Sequence, residues 1–115
     1  EYDGAHVKVQ LDGRISLGIM KDGQLVAGLD GCMTAYRILY VSTVFVKADY
    51  RRCGYGKALM AELEQRARAM GANMIRLDTF DWQGKAFYEA LGYEIVGSYE
   101  NRQDGFSEYF FLKRL

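Results

Sequence analysis

The chain has 115 residues, the length of a single domain, and its 15 basic and 15 acidic residues give a formal net charge of zero. This balance argues against a nucleic-acid-binding protein, which usually carries a basic excess to neutralise phosphates. No stretch approaches the roughly 20 apolar residues of a membrane span. We therefore expect one globular domain over residues 1–115 that binds neither nucleic acid nor a membrane.

The cysteine and histidine content limits the covalent and metal chemistry. Two cysteines, Cys32 and Cys53, make a poor disulfide framework. A single histidine and the lack of a Cys-x-x-Cys pair argue against a zinc site. Reduced thiols, together with an N-terminus that lacks a signal-peptide pattern, predict a cytoplasmic protein without metal.

The first 46 residues predict four antiparallel strands, because polar and apolar side chains alternate or β-branched residues predominate there. The predicted strands cover residues 6–11, 14–20, 25–35 and 38–46. Asp-Gly pairs at 12–13 and 22–23 are typical of two-residue hairpin turns, since glycine tolerates positive φ. Gly28 and Gly31 indicate bulges in the third strand.

The pattern changes to a helical one near residue 55. Apolar residues then recur at every third or fourth position, which predicts one buried face of a helix over residues 55–70: Leu59, Leu63, Ala67 and Met70. Gly71 stands where a helix-ending glycine is expected. The remaining chain predicts a strand at 74–79, a short helix at 84–91, and closing strands at 93–99 and 106–112.

The order β-β-β-β-α-β-α-β-β predicts an α+β fold. We expect a mixed, mostly antiparallel, twisted sheet with two helices packed on it. The strand, helix and strand over residues 38–79 should form a right-handed parallel crossover.

A glycine-bearing loop joins the fourth predicted strand to the long helix. Residues 51–56 are Arg-Arg-Cys-Gly-Tyr-Gly, and Lys57 follows. A helix N-terminus offers unpaired N–H groups and a partial positive charge, and Gly54 and Gly56 would let phosphate oxygens approach the backbone. The loop therefore predicts a phosphate site, and its spacing is neither that of the Rossmann motif nor that of the Walker motif.

The pattern [QR]-x-x-G-x-[GA] between a strand and a helix resembles the signature of the GNAT superfamily, the acetyl-CoA-dependent N-acetyltransferases. The resemblance extends over residues 14–115. A second motif at residues 86–93, Ala-Phe-Tyr-Glu-Ala-Leu-Gly-Tyr, is similar to the family's helix with a tyrosine followed by Gly-Phe or Gly-Tyr. The resemblance implies that an amine of a small molecule or peptide attacks acetyl-CoA, the co-substrate, directly and without a metal.

The resemblance also implies a coenzyme site and a catalytic residue. In the family, the pantetheine arm lies in a V-shaped opening beside the strand before the loop, and the pyrophosphate accepts from the loop's N–H groups. Tyr88 matches the tyrosine near the coenzyme sulfur, where a phenol can donate a proton to the leaving thiolate. An asparagine of the family is replaced in this spacing by Asp81, with Gln83 as a nearby amide. The residues matched to coenzyme binding are Val44, Phe45, Val46, Arg51, Arg52, Cys53, Gly54, Tyr55, Gly56, Lys57, Asp81 and Gln83.

The sequence leaves the general base open. Many family members carry a carboxylate on the strand before the loop, whereas residues 40–43 are Tyr-Val-Ser-Thr. Asp78 and Glu100 are candidates by position, and a base that acts through water is another. His6 is better interpreted as a surface residue, and Tyr88 itself can also be interpreted as a core aromatic.

Two further hypotheses concern the acceptor site and the partners. Family members usually place two helices between the first two strands, but here residues 12–13 join them directly, so the helices are absent or the sequence begins after them. We expect an open acceptor pocket that a second subunit could complete. Aromatic residues of the last strands would then form a homodimer contact or belong to the core: Tyr99, Phe106, Tyr109, Phe110 and Phe111. The alternatives to an enzyme are a non-catalytic acyl-CoA-binding or interaction module on the same fold, and a structural module without a coenzyme.

Overall fold

The computed structural model describes residues 13–115, and the six strands within this range form one sheet. In chain order the elements are β1 (Arg14–Lys21), β2 (Gln24–Met33), β3 (Ile38–Val46), α1 (Tyr55–Ala69), β4 (Met74–Phe80), α2 (Lys85–Ala90), β5 (Glu94–Asn101) and β6 (Phe106–Arg114). The predicted α+β order is confirmed from its second strand onward. The strand predicted at residues 6–11 lies outside the described residues.

The strand order in the sheet is β1-β2-β3-β4-β6-β5. Neighbouring strands pair antiparallel except for β3 and β4, which are parallel and are connected through α1. The mixed, mostly antiparallel sheet and the parallel pairing across residues 38–79 therefore agree with the prediction. The register of β2 against β3 shifts between Asp30 and Gly31, which is the bulge predicted at Gly31. The bulge predicted at Gly28 is wrong, because Gly28 pairs in register with Gly18 on one side and Phe45 on the other.

The core lies between α1 and one face of the sheet. Leu59, Leu63 and Ala67 of the predicted apolar stripe are buried, as is Met60 beside them. Gly71 has a φ of 89°, a left-handed conformation that ends the helix without the clash that a Cβ would cause.

Side chains of β4 alternate between the two faces of the sheet. Ile75, Leu77 and Thr79 are buried, whereas Arg76 and Asp78 are exposed on the opposite face. This alternation places Asp78 on the face of the sheet that is turned away from the core.

Strands β3 and β4 separate after a short parallel ladder. Only Ile38, Leu39 and Tyr40 pair with β4, although β3 continues to Val46 and β4 to Phe80. Beyond Tyr40, the β3 backbone pairs with β2 alone among the described strands. The two strands therefore leave the V-shaped opening between them that the family resemblance implies.

A partly buried ion pair ties α1, β6 and the end of α2 together. The Lys113 ammonium lies 3.1 Å from both oxygens of Glu64 and donates to the Leu91 carbonyl at 2.8 Å. The Tyr93 hydroxyl donates to Glu64 at 3.0 Å. This network holds α2, a helix of only six residues, in a fixed position against the core.

Two features of the fold differ from the sequence-based expectation. Strand β2 ends at Met33 rather than at residue 35, because a 3₁₀ turn over Ala35–Arg37, with Tyr36 at a φ of 62°, reverses the chain. The aromatic residues of the last strands do not share one face. Phe111 belongs to the core, whereas Tyr99 and Phe110 are exposed, with ring centroids 6.2 Å apart.

Candidate active site

A cavity of about 1080 Å³ lies where β3 and β4 separate. Its walls come from residues 41–46 of β3, residues 77–80 of β4, the loop before α1 and the first turn of α2. Because the lining includes residues from both faces of β4, the cavity reaches from the helix side of the sheet to the opposite side. A volume of this size is at the upper end of the range for small-molecule and cofactor sites.

Most of the residues matched to coenzyme binding line this cavity: Val44, Phe45, Val46, Arg51, Arg52, Gly54, Tyr55, Gly56, Lys57 and Gln83. Cys53 is exposed on the same loop but is not part of the lining. The structure thus brings together three parts of the chain, which are the end of β3, the loop and first turn of α1, and the loop before α2.

Asp81 lies outside the lining and holds the end of β4 to the start of β6. Its carboxylate accepts from the Ser107 N–H at 3.0 Å, and its own N–H donates to the Ser107 carbonyl at 3.1 Å. The Gln83 side-chain oxygen accepts from the Phe80 N–H at 3.0 Å. Both side chains therefore fix the loop over residues 81–84, and their contact with a coenzyme stays a prediction.

The N-terminus of α1 presents unpaired backbone donors to the cavity. The first helical hydrogen bond runs from the Ala58 N–H to the Gly54 carbonyl at 3.0 Å, and no acceptor within residues 13–115 pairs with the three preceding N–H groups. Gly54 has a φ of 83°, and no atom lies within 4 Å of the point that a Cβ would occupy; Arg52 has a φ of 66°. This tight turn leaves space in front of the N–H groups, as a phosphate site requires.

Gly56 allows the first turn of α1 to approach α2 closely. A Cβ at this position would lie 3.2 Å from the Phe87 ring and 3.7 Å from a Val46 methyl group. Arg51 fixes the other side of the loop, because its Nε donates to the Val46 carbonyl at 3.1 Å. The loop geometry is therefore determined by contacts to β3 and α2.

Tyr88 is a buried phenol whose hydroxyl has no protein partner within residues 13–115. The residue is 8% exposed, packs against Phe111 and Tyr93, and lines the cavity. Burial raises its pKa from 10.0 to about 12, which keeps the phenol protonated at neutral pH. A buried tyrosine hydroxyl normally has a hydrogen-bond partner, so this one is available for a ligand in the cavity.

Tyr93 shows how a buried tyrosine of this core is satisfied. It is 3% exposed, and its hydroxyl donates to Glu64. Burial and the Glu64 carboxylate raise its pKa. The two tyrosines stand five positions apart in the same motif, with ring centroids 6.0 Å apart, yet of the two only Tyr88 lines the cavity.

Asp78 is the carboxylate that lines the cavity on the face away from the core. The Tyr40 hydroxyl donates to it at 3.2 Å, and the Arg76 guanidinium lies 4.4 Å from the centre of the Tyr40 ring. Burial and the nearby Asp78 raise the pKa of Tyr40, so this phenol remains a donor. Glu100, the other candidate base, is exposed and pairs with Arg102 instead of lining the cavity.

An aromatic group at the cavity was missed by the sequence analysis. The Trp82 ring stacks on Phe80 with centroids 4.9 Å apart and planes 7° apart, and the Phe106 ring meets both rings edge-on. Trp82 is 64% exposed. An available signal was its position in the short loop between β4 and α2, beside Gln83, because loops at the ends of strands often carry binding residues.

Two negative observations apply to residues 13–115. No group of three or more histidine, cysteine or acidic side chains is placed to hold a metal ion there. None of the helices in this range has the length and apolar character needed to cross a membrane.

Comparison with known proteins gives consistent results. Residues 4–93 match the model of the acetyltransferase (GNAT) family. A blasticidin-S acetyltransferase from Streptomyces morookaense is 32% identical over 94 residues, which cover 81% of this chain and 68% of that protein.

Solved structures resemble the fold over most of the chain. An acetyltransferase from Bacillus cereus superposes with a TM-score of 0.84 at 34% identity and covers 89% of this chain and 73% of its own. A Bacillus anthracis structure solved with acetyl coenzyme A has a TM-score of 0.81 at 21% identity, over 90% of this chain and 63% of that one.

Proposed function

The chain belongs to the acetyltransferase (GNAT) family and is an acetyl-CoA-dependent N-acetyltransferase, and on that premise we propose that it acetylates the amine of a small molecule with Tyr88 and Asp78 at the reacting atoms. The observation that carries the residue assignment is that Tyr88 is buried, lines the cavity and has a hydroxyl without a hydrogen-bond partner within residues 13–115. The small-molecule acceptor is supported by the relative from Streptomyces morookaense, which is named for the acetylation of blasticidin S. No described residue and no compared protein favours the non-catalytic module.

The cavity has the features that acetyl-CoA needs. The free N–H groups at the start of α1, together with Arg51, Arg52 and Lys57, would hold the pyrophosphate. The pantetheine arm would lie along β3 beyond Tyr40, where the edge that faces β4 is not paired with another described strand. The thioester would then lie between Tyr88 on the core side and Asp78 on the opposite side.

Asp78 would take the proton that the acceptor ammonium must lose before it can attack. The free amine then forms the C–N bond at the thioester carbonyl, and the C–S bond breaks to release a thiolate. The second proton of the amine neutralises that thiolate, so that the overall reaction releases one proton. The Tyr40 hydroxyl donates to the Asp78 carboxylate and would fix its orientation for this proton transfer.

Tyr88 would stabilise the leaving sulfur as a hydrogen-bond donor rather than by giving up its proton. Its pKa of about 12 exceeds that of a free thiol, about 8.5 for cysteine, by roughly 3.5 units. Full transfer of the proton would therefore cost about 5 kcal/mol, since each unit is about 1.4 kcal/mol. A donated hydrogen bond in a site shielded from water avoids this cost and still favours the charge that develops in the transition state.

The experiment that tests this function has two parts. Acetyl-CoA at a concentration of about 100 times its Kd should stabilise the protein by roughly 2.7 kcal/mol, measured as a rise in melting temperature. Release of free thiol should then exceed background hydrolysis for at least some members of a panel of small amines. No thermal shift would contradict the coenzyme site, and a shift without amine-dependent thiol release would contradict the catalytic assignment.

The location and the oligomeric state are also part of the proposal. Cys32 and Cys53 are free cysteines, which supports a reducing compartment such as the cytoplasm. The exposed pair Tyr99 and Phe110 supports a homodimer contact on the face away from the core. Light scattering of the protein and of a Tyr99→Lys variant tests the dimer, which should dissociate in the variant.

A further inference from the structure

Trp82 lines the cavity, and the aromatic contacts within residues 13–115 cover one face of its indole ring and leave the other face open. Phe80 covers the other face at 4.9 Å, and Phe106 meets the ring edge-on at a centroid distance of 5.8 Å. No lysine or arginine within residues 13–115 stacks on this ring, although three such contacts occur on tyrosines in the same range. A 64% exposed tryptophan on the wall of a ligand cavity is a binding surface without an occupant in the described chain.

The loop that carries Trp82 is held by hydrogen bonds on both sides. The Asp81 contacts to Ser107 fix it on one side, and the Gln83 bond to the Phe80 N–H fixes it on the other. The indole plane is therefore positioned before a ligand arrives, which reduces the entropy that binding must overcome.

Two carboxylates lie on the face of the sheet that carries Phe80, on which the indole stacks. Asp78 lies two positions before Phe80 on the same face of β4, roughly 7 Å away along the strand, and Glu108 pairs with Phe80 across β4 and β6. Within residues 13–115, neither carboxylate has a lysine or arginine nitrogen within 4.0 Å. The Tyr40 hydroxyl donates to Asp78 and the Tyr99 hydroxyl donates to Glu108, and these neutral donors leave both charges in place. An apolar aromatic face beside two carboxylates without a cationic partner in this range suits a cation better than a neutral or acidic group.

We propose that Trp82 determines acceptor specificity by binding a second cationic group, an ammonium or guanidinium, on a small amine whose other amine reacts. Asp78 accepts the proton of the reacting amine, which becomes neutral. The second ammonium or guanidinium of the acceptor stays charged and binds on the face of the indole. The acceptor class is therefore a small diamine or a similar dication rather than a simple alkylamine. This inference rests on the proposed function, because it uses the same cavity.

The chain contains one tryptophan, so its intrinsic fluorescence reports on Trp82 directly and without turnover. Titration with 1,4-diaminobutane in the presence of coenzyme A should change the emission saturably, whereas n-butylamine of matched length should need at least a roughly 10-fold higher concentration. Equal half-saturation for the two amines, or no saturable change with the diamine, would overturn the proposal. Thiol release is measured separately, so a failure of acetyl transfer is distinguishable from a failure of diamine binding.

Variants separate a cation site from a merely apolar wall. Trp82→Leu should raise the KM for 1,4-diaminobutane roughly 10-fold with little change in kcat, and Trp82→Phe should keep part of the preference. Tyr36→Leu is the matched control, since Tyr36 is 88% exposed and lies outside the cavity lining. If Trp82→Leu raised the KM for 2-phenylethylamine as much as that for 1,4-diaminobutane, Trp82 would be an apolar wall. If Trp82→Leu weakened acetyl-CoA binding, the indole would belong to the coenzyme site. Either result would refute the proposal.

Discussion

Replacing Tyr88 by phenylalanine removes one oxygen atom that makes no hydrogen bond to another described residue of the protein. Because no hydrogen bond within residues 13–115 is lost, we expect the free energy of unfolding to change by less than about 0.5 kcal/mol. The kcat should fall by about 100-fold, the typical effect of removing one donor to a developing negative charge. The Kd of acetyl-CoA should remain nearly constant, because the hydroxyl acts mainly in the transition state.

Tyr93→Phe is the matched control for this change. Tyr93 has the same side chain and nearly the same burial, but its hydroxyl donates to the Glu64 carboxylate at 3.0 Å. Loss of a hydrogen bond to a charged group costs about 2 kcal/mol, or a melting temperature lower by roughly 8 °C in a domain of this size. The kcat should change little, since this hydroxyl lies outside the cavity lining.

The assay combines differential scanning calorimetry with steady-state thiol release for both variants. The expected result is a crossed pattern, in which one variant loses turnover and the other loses stability. If Tyr88→Phe lowered the melting temperature as much as Tyr93→Phe and kept its turnover, Tyr88 would be a structural aromatic. The assignment of the leaving-group donor would then be wrong.

Three further predictions concern the loop, the base and alkaline pH. Gly54→Glu should abolish the stabilisation of the protein by acetyl-CoA, because the new side chain adds bulk and negative charge where the pyrophosphate would bind. Gly23→Glu is the control, since Gly23 has a similar φ of 78° and equally open space, and this variant should retain the stabilisation. An equal loss in both variants would contradict the loop assignment. Asp78→Asn should lower kcat by about 100-fold without weakening coenzyme binding, and an unchanged kcat would leave water or Glu100 as the base. The pKa of Tyr88 is raised to about 12 in the folded protein, so the unfolded chain loses this proton first, near pH 10. The contribution of Tyr88 to the free energy of unfolding is therefore fully present below pH 10 and falls by up to about 1.4 kcal/mol per pH unit between pH 10 and 12. Urea unfolding of Tyr88→Phe should show a smaller fall over that range, and an identical slope would argue against a buried, protonated phenol.

Much of the fold could be predicted because it depends on local sequence patterns. The β-branched run that forms β3 gave the bounds Ile38–Val46, and the apolar stripe gave the buried face of α1. The prediction was wrong at the end of β2, where the left-handed Tyr36 reverses the chain. A non-glycine residue in that conformation leaves no clear signal in the sequence, because the surrounding structure imposes it.

The position of the glycine-bearing loop before α1 could also be predicted, because the change from a strand pattern to a helical pattern and the glycines between them are local features of the sequence. The aromatic group around Trp82 could not be predicted. Its members lie on β4, on the following loop and at the start of β6, and they meet only because β4 and β6 are neighbours in the sheet.

The sequence by itself determined the family, the order of strands and helices, and the position of the glycine-bearing loop before α1, because each of these is encoded in residues that are close along the chain. Only the tertiary structure decided which residues face one another across the cavity. Tyr88 and Tyr93 look alike in the second motif, and their roles differ because Glu64, which is 29 positions from Tyr93, satisfies one hydroxyl and not the other. The choice of Asp78 over Glu100 as the candidate base has a similar reason, since only Asp78 of the two lines the cavity. Strands β3 and β4 separate after Tyr40, and that separation opens the cavity to a carboxylate on the far face of the sheet.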